Sequence, residues 1–169
     1  MDQRIRKTIY VSLLAALTCV ATIVIPIPTP TGGYLNAGDV IVMFAALLAG
    51  PVYGGLAAGV GSGLADLLAG YTIYAPGSLI VKWLAAAAAG LIYRRHRKVL
   101  PAVICGEAVM VAGYFLYESL VLGLGWAAGA EVGANALQGI VGAVGGAALY
   151  QALIRVPEIR EIRDRIQAK

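Results

Sequence analysis

The side chains in this chain that could do chemistry are few, and most sit inside or at the edge of apolar runs. They are Asn36 and Asp39, Asp66, Lys82, Glu107 and Glu118, and Asn135 with Gln138. Polar and ionisable groups in such surroundings are costly unless they have partners or a task. Their types suit hydrogen-bonded recognition of a small polar compound better than bond making. The phosphate-cradling pattern Gly-x-x-x-x-Gly-Lys-Ser/Thr is missing, so the chain is not expected to hydrolyse nucleotide itself. No His/Cys/carboxylate spacing points to a metal, and no cofactor is expected. Ser12, Ser62, Ser78 and Ser119 find no histidine at membrane depth, because His96 belongs to a basic run; this argues against a Ser-His hydrolase. Asp39, Asp66 and Glu118 leave an intramembrane carboxylate enzyme open, but no spacing supports it. Cys19 and Cys105 are spaced for neither a metal nor a disulfide framework and read as small hydrophobes.

The elements that must position these groups are membrane spans. Of the 169 residues, 60% are hydrophobic and 13% charged, with a mean hydropathy of +0.81; a soluble domain carries roughly 25% charged residues. The 22 glycines suit close helix–helix approach in lipid. A spanning helix needs roughly 20 mainly apolar residues, and fewer suffice in a compact protein. Six segments meet that description, at about 8–26, 37–49, 53–68, 78–93, 101–122 and 132–154. Arg4, Arg6 and Lys7 before the run Ile9 to Ile25 have the outline of a signal peptide. The run is too long for that, however, and ends on Pro26, Pro28 and Pro30 without a small-x-small cleavage site. The proline-rich piece through Thr31 and Gly33 cannot continue a helix and is a shaped loop. Gly50-Pro51 separates the second and third segments, and Gly55, Gly59 and Gly63 recur every four residues for backbone-to-backbone packing. The expected fold is therefore all-α: a polytopic membrane domain over 1–154, then a tail over 155–169. In that tail Ile159, Ile162 and Ile166 are spaced for a short amphipathic helix on the membrane surface.

Charge sets the orientation. Arg4, Arg6 and Lys7, the cluster Arg94-Arg95-His96-Arg97-Lys98 and the basic tail fall on one side, while the stretches 27–36, 69–77 and 123–131 hold no Lys or Arg. The positive-inside rule puts both termini in the cytoplasm. The 94–98 cluster lacks interleaved aromatics, and nucleic-acid binding is not expected.

At about 1.5 Å per residue, Lys82 falls roughly 6–8 Å below the outer end of the fourth segment, and Glu118 about one turn below that of the fifth. Asn36 and Asp39, Asp66, and Asn135 with Gln138 lie at the same depth on the second, third and sixth; Glu107 alone falls in the inner half. Glu107, Tyr114 and Glu118 share one stripe of their helix. The pattern is an outward-facing pocket, with Lys82 expected to pair with Glu118 or Asp66 to lower its desolvation cost. Structural readings stand beside this one. Asp39 can cap helix two, Asp66 can be a structural partner, Lys82 can snorkel outward, and Asn135 and Gln138 can be interhelical glue. Tyr34, Tyr71, Tyr74, Trp83 and Trp126 can be interfacial belt aromatics.

Six short helices, a Pro-rich first external loop, Gly-x-Leu-Asn-x-Gly-Asp at 33–39, Gly50-Pro51-x-x-Gly54 and Tyr74-x-Pro76-Gly77-Ser78-x-x-x-Lys82 together resemble the S components of energy-coupling factor (ECF) vitamin transporters. The likeness is strongest to the subgroup for the hydroxymethylpyrimidine thiamin precursor and vitamin B6 forms. The resemblance implies a non-catalytic, multi-pass subunit of a bacterial or archaeal cytoplasmic membrane. It would bind a small vitamin or precursor near the extracellular side, under the loop between helices one and two. A transmembrane scaffold subunit and two cytoplasmic ATPases would supply the energy, and the S component would topple in the membrane to expose its pocket inward. Scaffold contact through an Ala-x-x-x-Ala pattern on helix one has its nearest match here in Ser12-x-x-x-Ala16; Gly-rich faces of helices two, three and six could serve the same docking. The ligand contacts expected on this basis are Asn36, Tyr74, Lys82, Tyr114, Glu118, Asn135 and Gln138, with Asp39 beside them. Asn and Gln would bond ring nitrogens and hydroxyls, Tyr would stack, and Lys82 and Glu118 would fix polarity. A pyrimidine or pyridine ligand is favoured, with riboflavin or a deazapurine base as the alternative within the family. The rival classes are a self-sufficient secondary transporter or channel, which needs a polar path across the whole membrane, and a small intramembrane enzyme or assembly factor.

Overall fold

A computed structural model describes residues 3–24, 26–29 and 32–167. Ile25 of the first expected span, Pro30 and Thr31 of the proline-rich loop, and the outermost residues 1–2 and 168–169 of the membrane domain and tail lie outside these. The chain is nearly all helical. Helix α1 is Gln3–Ile23, α2 Gly38–Ala69, α3 Ala75–His96, α4 Val99–Leu116, α5 Gly129–Leu153 and α6 Pro157–Gln167. Among the described residues five helices are long and apolar enough to cross a membrane, the last two extended to Val99–Val121 and Gly125–Leu153 by short turns of other pitch.

Helix α2 is the core of the molecule, with every residue from Val42 to Gly50 buried. It is not straight. Gly50 has φ 78° and ψ −174°, a conformation that only glycine adopts without strain, and Pro51 follows with no N–H to continue the ladder. A Cβ on Gly54 would lie 2.6 Å from the Ala45 carbonyl oxygen and 2.8 Å from Ala46 Cα, so the arms 38–49 and 51–69 lie back to back. The stretch read from sequence as two segments is thus one helical stretch folded over at Gly50. Asp39 and Asp66, which an unbroken helix would hold about 40 Å apart, come to the same end of the bundle.

Small residues set the packing around this hairpin. Gly59 brings α2 against the Leu79 carbonyl of α3, with a hypothetical Cβ only 2.5 Å from it, while Gly55 seats the Trp83 ring. Gly145 and Gly146 of α5 receive Val40 and Met43. The glycine faces read as possible docking surfaces are therefore used inside the molecule. Helix α1 is different. Thr18 and Thr22 turn inward and return their hydroxyls to carbonyls four residues back, whereas Ile5, Ile9, Leu13, Leu17 and Val20 are exposed. Ser12 and Ala16 are exposed as well.

The proline-rich loop is a small lid. Ile27–Pro28 pairs antiparallel with Tyr34–Leu35, and Thr29 N–H bonds the Gly33 carbonyl at 2.9 Å. The 94–98 basic cluster proves to be less a loop than the last turn of α3. Arg94, Arg95 and His96 sit where the helix dipole favours cations, Arg97 turns the chain with φ 56°, and α4 starts at Val99. Helix α6 lies across the opposite end of the bundle from the lid. Ile166 is fully buried, and the Gln167 amide donates to the carbonyls of Leu48 (2.9 Å) and Leu47 (3.5 Å), the acceptors left open where the first arm of α2 stops.

Candidate substrate-binding cavity

The lid, the last turn of α1, the second arm of α2, and α3, α4 and α5 enclose a polar cavity at one end of the bundle. It holds about 430 Å³ of space between atoms, solvent at its mouth included, of which about 30 Å³ can take the centre of a water molecule. In this conformation the side chains nearly close it. Seven of the eight expected contacts line it: Asn36, Tyr74, Lys82, Tyr114, Glu118, Asn135 and Gln138. They come from separate elements, so the juxtaposition is made by the fold and not by local sequence. Asp39 does not line the cavity but stands behind it.

Asp39 is the hub of a buried network. It is 1% exposed and Lys82 3%, and Lys82 Nζ donates to Asp39 Oδ1 at 2.5 Å. Gln138 Nε2 donates to Asp39 Oδ2 at 2.7 Å, while Gln138 Oε1 accepts the Asn36 backbone N–H at 2.8 Å. This corrects the expected pairing of Lys82 with Glu118 or Asp66, and it rules out snorkelling. The physical reason is the hairpin: it brings both ends of α2 to α3, and the first turn places the Asp39 carboxylate within bonding distance of Lys82. The capping role falls to Asn36 instead. Its Oδ1 accepts the Gly38 N–H at 2.9 Å, satisfying a free donor at the start of α2. Lys82 Nζ also lies 5.2 Å from the centre of the Tyr114 ring.

Other lining residues escaped the expected contact set. Tyr34 of the lid donates to Asp66 Oδ1 at 2.6 Å, and its ring lies 4.3 Å from that of Tyr71. Burial, and after it the Asp66 carboxylate, push the Tyr34 hydroxyl well above its ordinary range. The hydroxyls of Ser78 and Tyr114 lie 2.6 Å apart. Asp66, Ser62, Thr22 and Glu131 also line the space. The depth count already contained Asp66; Tyr34 and Ser78 stood in the Gly-Tyr and Gly-Ser motifs without a partner to mark them. Trp126, at 91% exposed, stays outside, as a belt aromatic would.

Glu118 reaches the cavity through a local distortion. Helix α4 widens over Tyr117–Val121 into a turn of π pitch, with Leu122 N–H bonding the Tyr117 carbonyl five residues back. Such turns recur at functional sites. Glu107 does not line the cavity, but it abuts the network from below, since a Cβ on Gly142 of α5 would meet both Glu107 Oε1 and Asp39 Cβ. Neither Glu107 oxygen has a hydrogen-bond partner. No group of three or more His, Cys, Asp or Glu among the described residues could hold a metal.

A polar cavity under a loop, at one end of a membrane bundle, is built to hold a solute rather than to transform it. Residues 2–155 match the family model described as ECF-type riboflavin transporter, S component. The chain belongs to this family. Its place there makes it a substrate-binding subunit of an ECF transporter, multi-pass in the cell membrane and working with the transporter's other subunits. S components bind for transport and are not catalytic. A relative from Pyrococcus woesei, described as an uncharacterized protein in the gap 3′ region, is 36% identical over 134 residues, covering 77% of this chain and 89% of that protein.

Proposed function

We propose that this S component captures a small water-soluble vitamin or vitamin precursor, of pyrimidine or pyridine type, in the cavity beneath the 27–36 lid. One observation carries the reading. Donors, acceptors and aromatic faces from five helices and the lid converge on a single enclosed space, while the described core beneath it is mainly apolar, with Glu107, Thr18 and the Tyr93–Tyr150 hydroxyl pair as its buried polar groups. Tyr34, Tyr74 and Tyr114 offer ring faces, and Asn135 and Gln138 offer amides to ring nitrogens and hydroxyls. The side chains nearly close the space, so the lid must lift to admit a ligand.

The membrane frame goes with this reading. The two arms of α2 count as two spans, giving six. The basic clusters at 4–7, 94–98 and 155–165 face the cytoplasm with both termini, and the cavity faces outward. The exposed face of α1 around Ser12 and Ala16 is the docking surface for the scaffold subunit, which brings two ATPases. Gly55 and Gly59 of α2 and Gly145 and Gly146 of α5 are already used internally, whereas the face of α1 at Ser12 and Ala16 is exposed.

Mass spectrometry of the compound that copurifies with the protein tests the reading directly, together with Glu118→Ala and Asn135→Ala, each of which is expected to weaken binding in the solitary chain. Normal binding by both variants would remove the cavity from consideration. Uphill transport by the purified chain alone in liposomes would favour a secondary transporter instead.

A further inference from the structure

Acids outnumber bases around the cavity. Asp66, Glu118 and Glu131 line it, and among its lining residues Lys82 is the one cation. That cation is already matched, because Lys82 is bonded to Asp39. Asp66 and Glu118 are each 2% exposed, yet Asp66 Oδ2 and Glu118 Oε2 have no hydrogen-bond partner, and Ser62 Oγ beside them has none either. Glu118 and Glu131 face the same space. Lone acceptors in an enclosed space are unfavourable until a donor reaches them, and a charged donor serves best. A phosphate or carboxylate group would add acceptors to acceptors, with no free cation to meet it. A neutral compound rich in carbonyls would fare little better.

Building on the capture reading, we propose that this cavity selects its ligand as a cation: a small ring bearing an amino or ammonium group whose N–H donors bond Asp66 Oδ2 and Glu118 Oε2. Lys82 then takes no part in recognising charge. It is a fixed strut that holds Asp39 and leaves the ring of Tyr114 as the ligand's neighbour. The same arrangement rejects phosphorylated forms of the same ring.

The test is a set of compounds that vary charge on one ring, added to the ligand-free full-length protein in detergent and read by calorimetric titration. Pyridoxamine carries an ammonium where pyridoxine carries a hydroxyl, and pyridoxamine phosphate adds an anion. 4-Amino-5-hydroxymethyl-2-methylpyrimidine, whose amino group is conjugated to the ring and which is largely uncharged at neutral pH, separates N–H donation from charge and is expected to bind more weakly than pyridoxamine. Riboflavin is the neutral three-ring control. The amine is expected to bind at least about tenfold tighter than the alcohol, the increment of a charge-assisted hydrogen bond over a neutral one, with the phosphate and riboflavin failing to compete. Asp66→Asn and Glu118→Gln should each lower amine affinity by about tenfold and bring the amine-to-alcohol ratio toward one, with ligand-free melting curves confirming the fold. Equal or tighter binding of the alcohol, the phosphate or riboflavin overturns the proposal, as does an amine preference that survives both substitutions. If none of the five binds, the copurified compound decides: a cation at neutral pH upholds the proposal, and a neutral or anionic one overturns it while the capture reading stands. A chain that retains no compound and recruits no ATPase subunits would overturn the capture reading as well.

Discussion

Replacing Lys82 by Met keeps the length and apolar stem of the side chain and removes only the charge. Asp39 would then remain 1% exposed with the Gln138 amide at 2.7 Å as its surviving partner and the Glu107 carboxyl pressing on the same glycine. Breaking one side of a buried ion pair costs about 3–5 kcal/mol, chiefly because the other charge is left uncompensated. For a chain of this size each kcal/mol moves the unfolding midpoint by roughly 2–4 °C, so a fall of about 10 °C is expected for Lys82→Met in detergent. Adding Asp39→Asn removes the stranded charge, and the double variant should recover most of that loss. The coupling between the two positions should exceed about 2 kcal/mol, whereas Lys82→Met combined with Glu118→Gln should be nearly additive. The assay is a thermal melt of the parent, the three single variants and the two double variants in one detergent, followed by intrinsic fluorescence. If Lys82→Met alone is as stable as the double variant, Asp39 is not held by Lys82 and the network described above is wrong.

Further outcomes follow from the packing and the lid. Gly54→Ala sets a methyl group against the Ala45 carbonyl, where backbone cannot yield, and should cost about 2–3 kcal/mol or prevent folding. Gly133→Ala, with nothing within 4 Å, should be silent in the same melting assay. Gln167→Ala leaves the Leu47 and Leu48 carbonyls without their donor and should lower stability by about 1 kcal/mol, as should removal of α6 at Pro157 or more. Because the Tyr34 hydroxyl is held above its ordinary value, its contribution is complete below about pH 10 and is lost as pH rises beyond that. Tyr34→Phe should therefore be less stable than the parent at neutral pH, with the difference shrinking in melts run at strongly alkaline pH.

Counting depth from helix ends needs only the rise per residue and the alternation of spans, and those two quantities were enough to bring Lys82, Glu118, Asn135 and Gln138 to one level. They could not give rotation. Helices as uniformly apolar as α2 to α5 carry no amphipathic stripe to say which side faces which neighbour, so Lys82 was matched with Glu118 or Asp66 rather than with Asp39. Exchange of roles between Asn36 and Asp39 has a similar origin. Both stand at the start of α2, either can satisfy a free N–H there, and only the position of α3 decides which one is called inward. The widened turn at Tyr117–Val121 leaves no mark in composition. Depth counted along α4 could not show that Glu107 abuts Asp39, because that neighbour enters from α2. The tail helix, by contrast, was plain in the spacing of Ile159, Ile162 and Ile166, since it alone has a strongly polar face to contrast with an apolar one.

The fold at Gly50 also sets an order of events during synthesis. Asp39 enters the membrane with the first arm of α2, but Lys82 lies 43 residues later in the chain and Gln138 lies 99 later. At about 5–20 residues per second, the ion pair waits roughly 2–9 s for its cation. The amide that completes the network arrives several seconds after that. Throughout that interval the nascent hairpin carries a carboxyl group that nothing yet emerged can neutralise, and lipid is the poorest place to leave one. Synthesis that stalls between Ala69 and Lys82 would therefore strand a hairpin that holds Asp39 and Asp66 before Lys82 has been made.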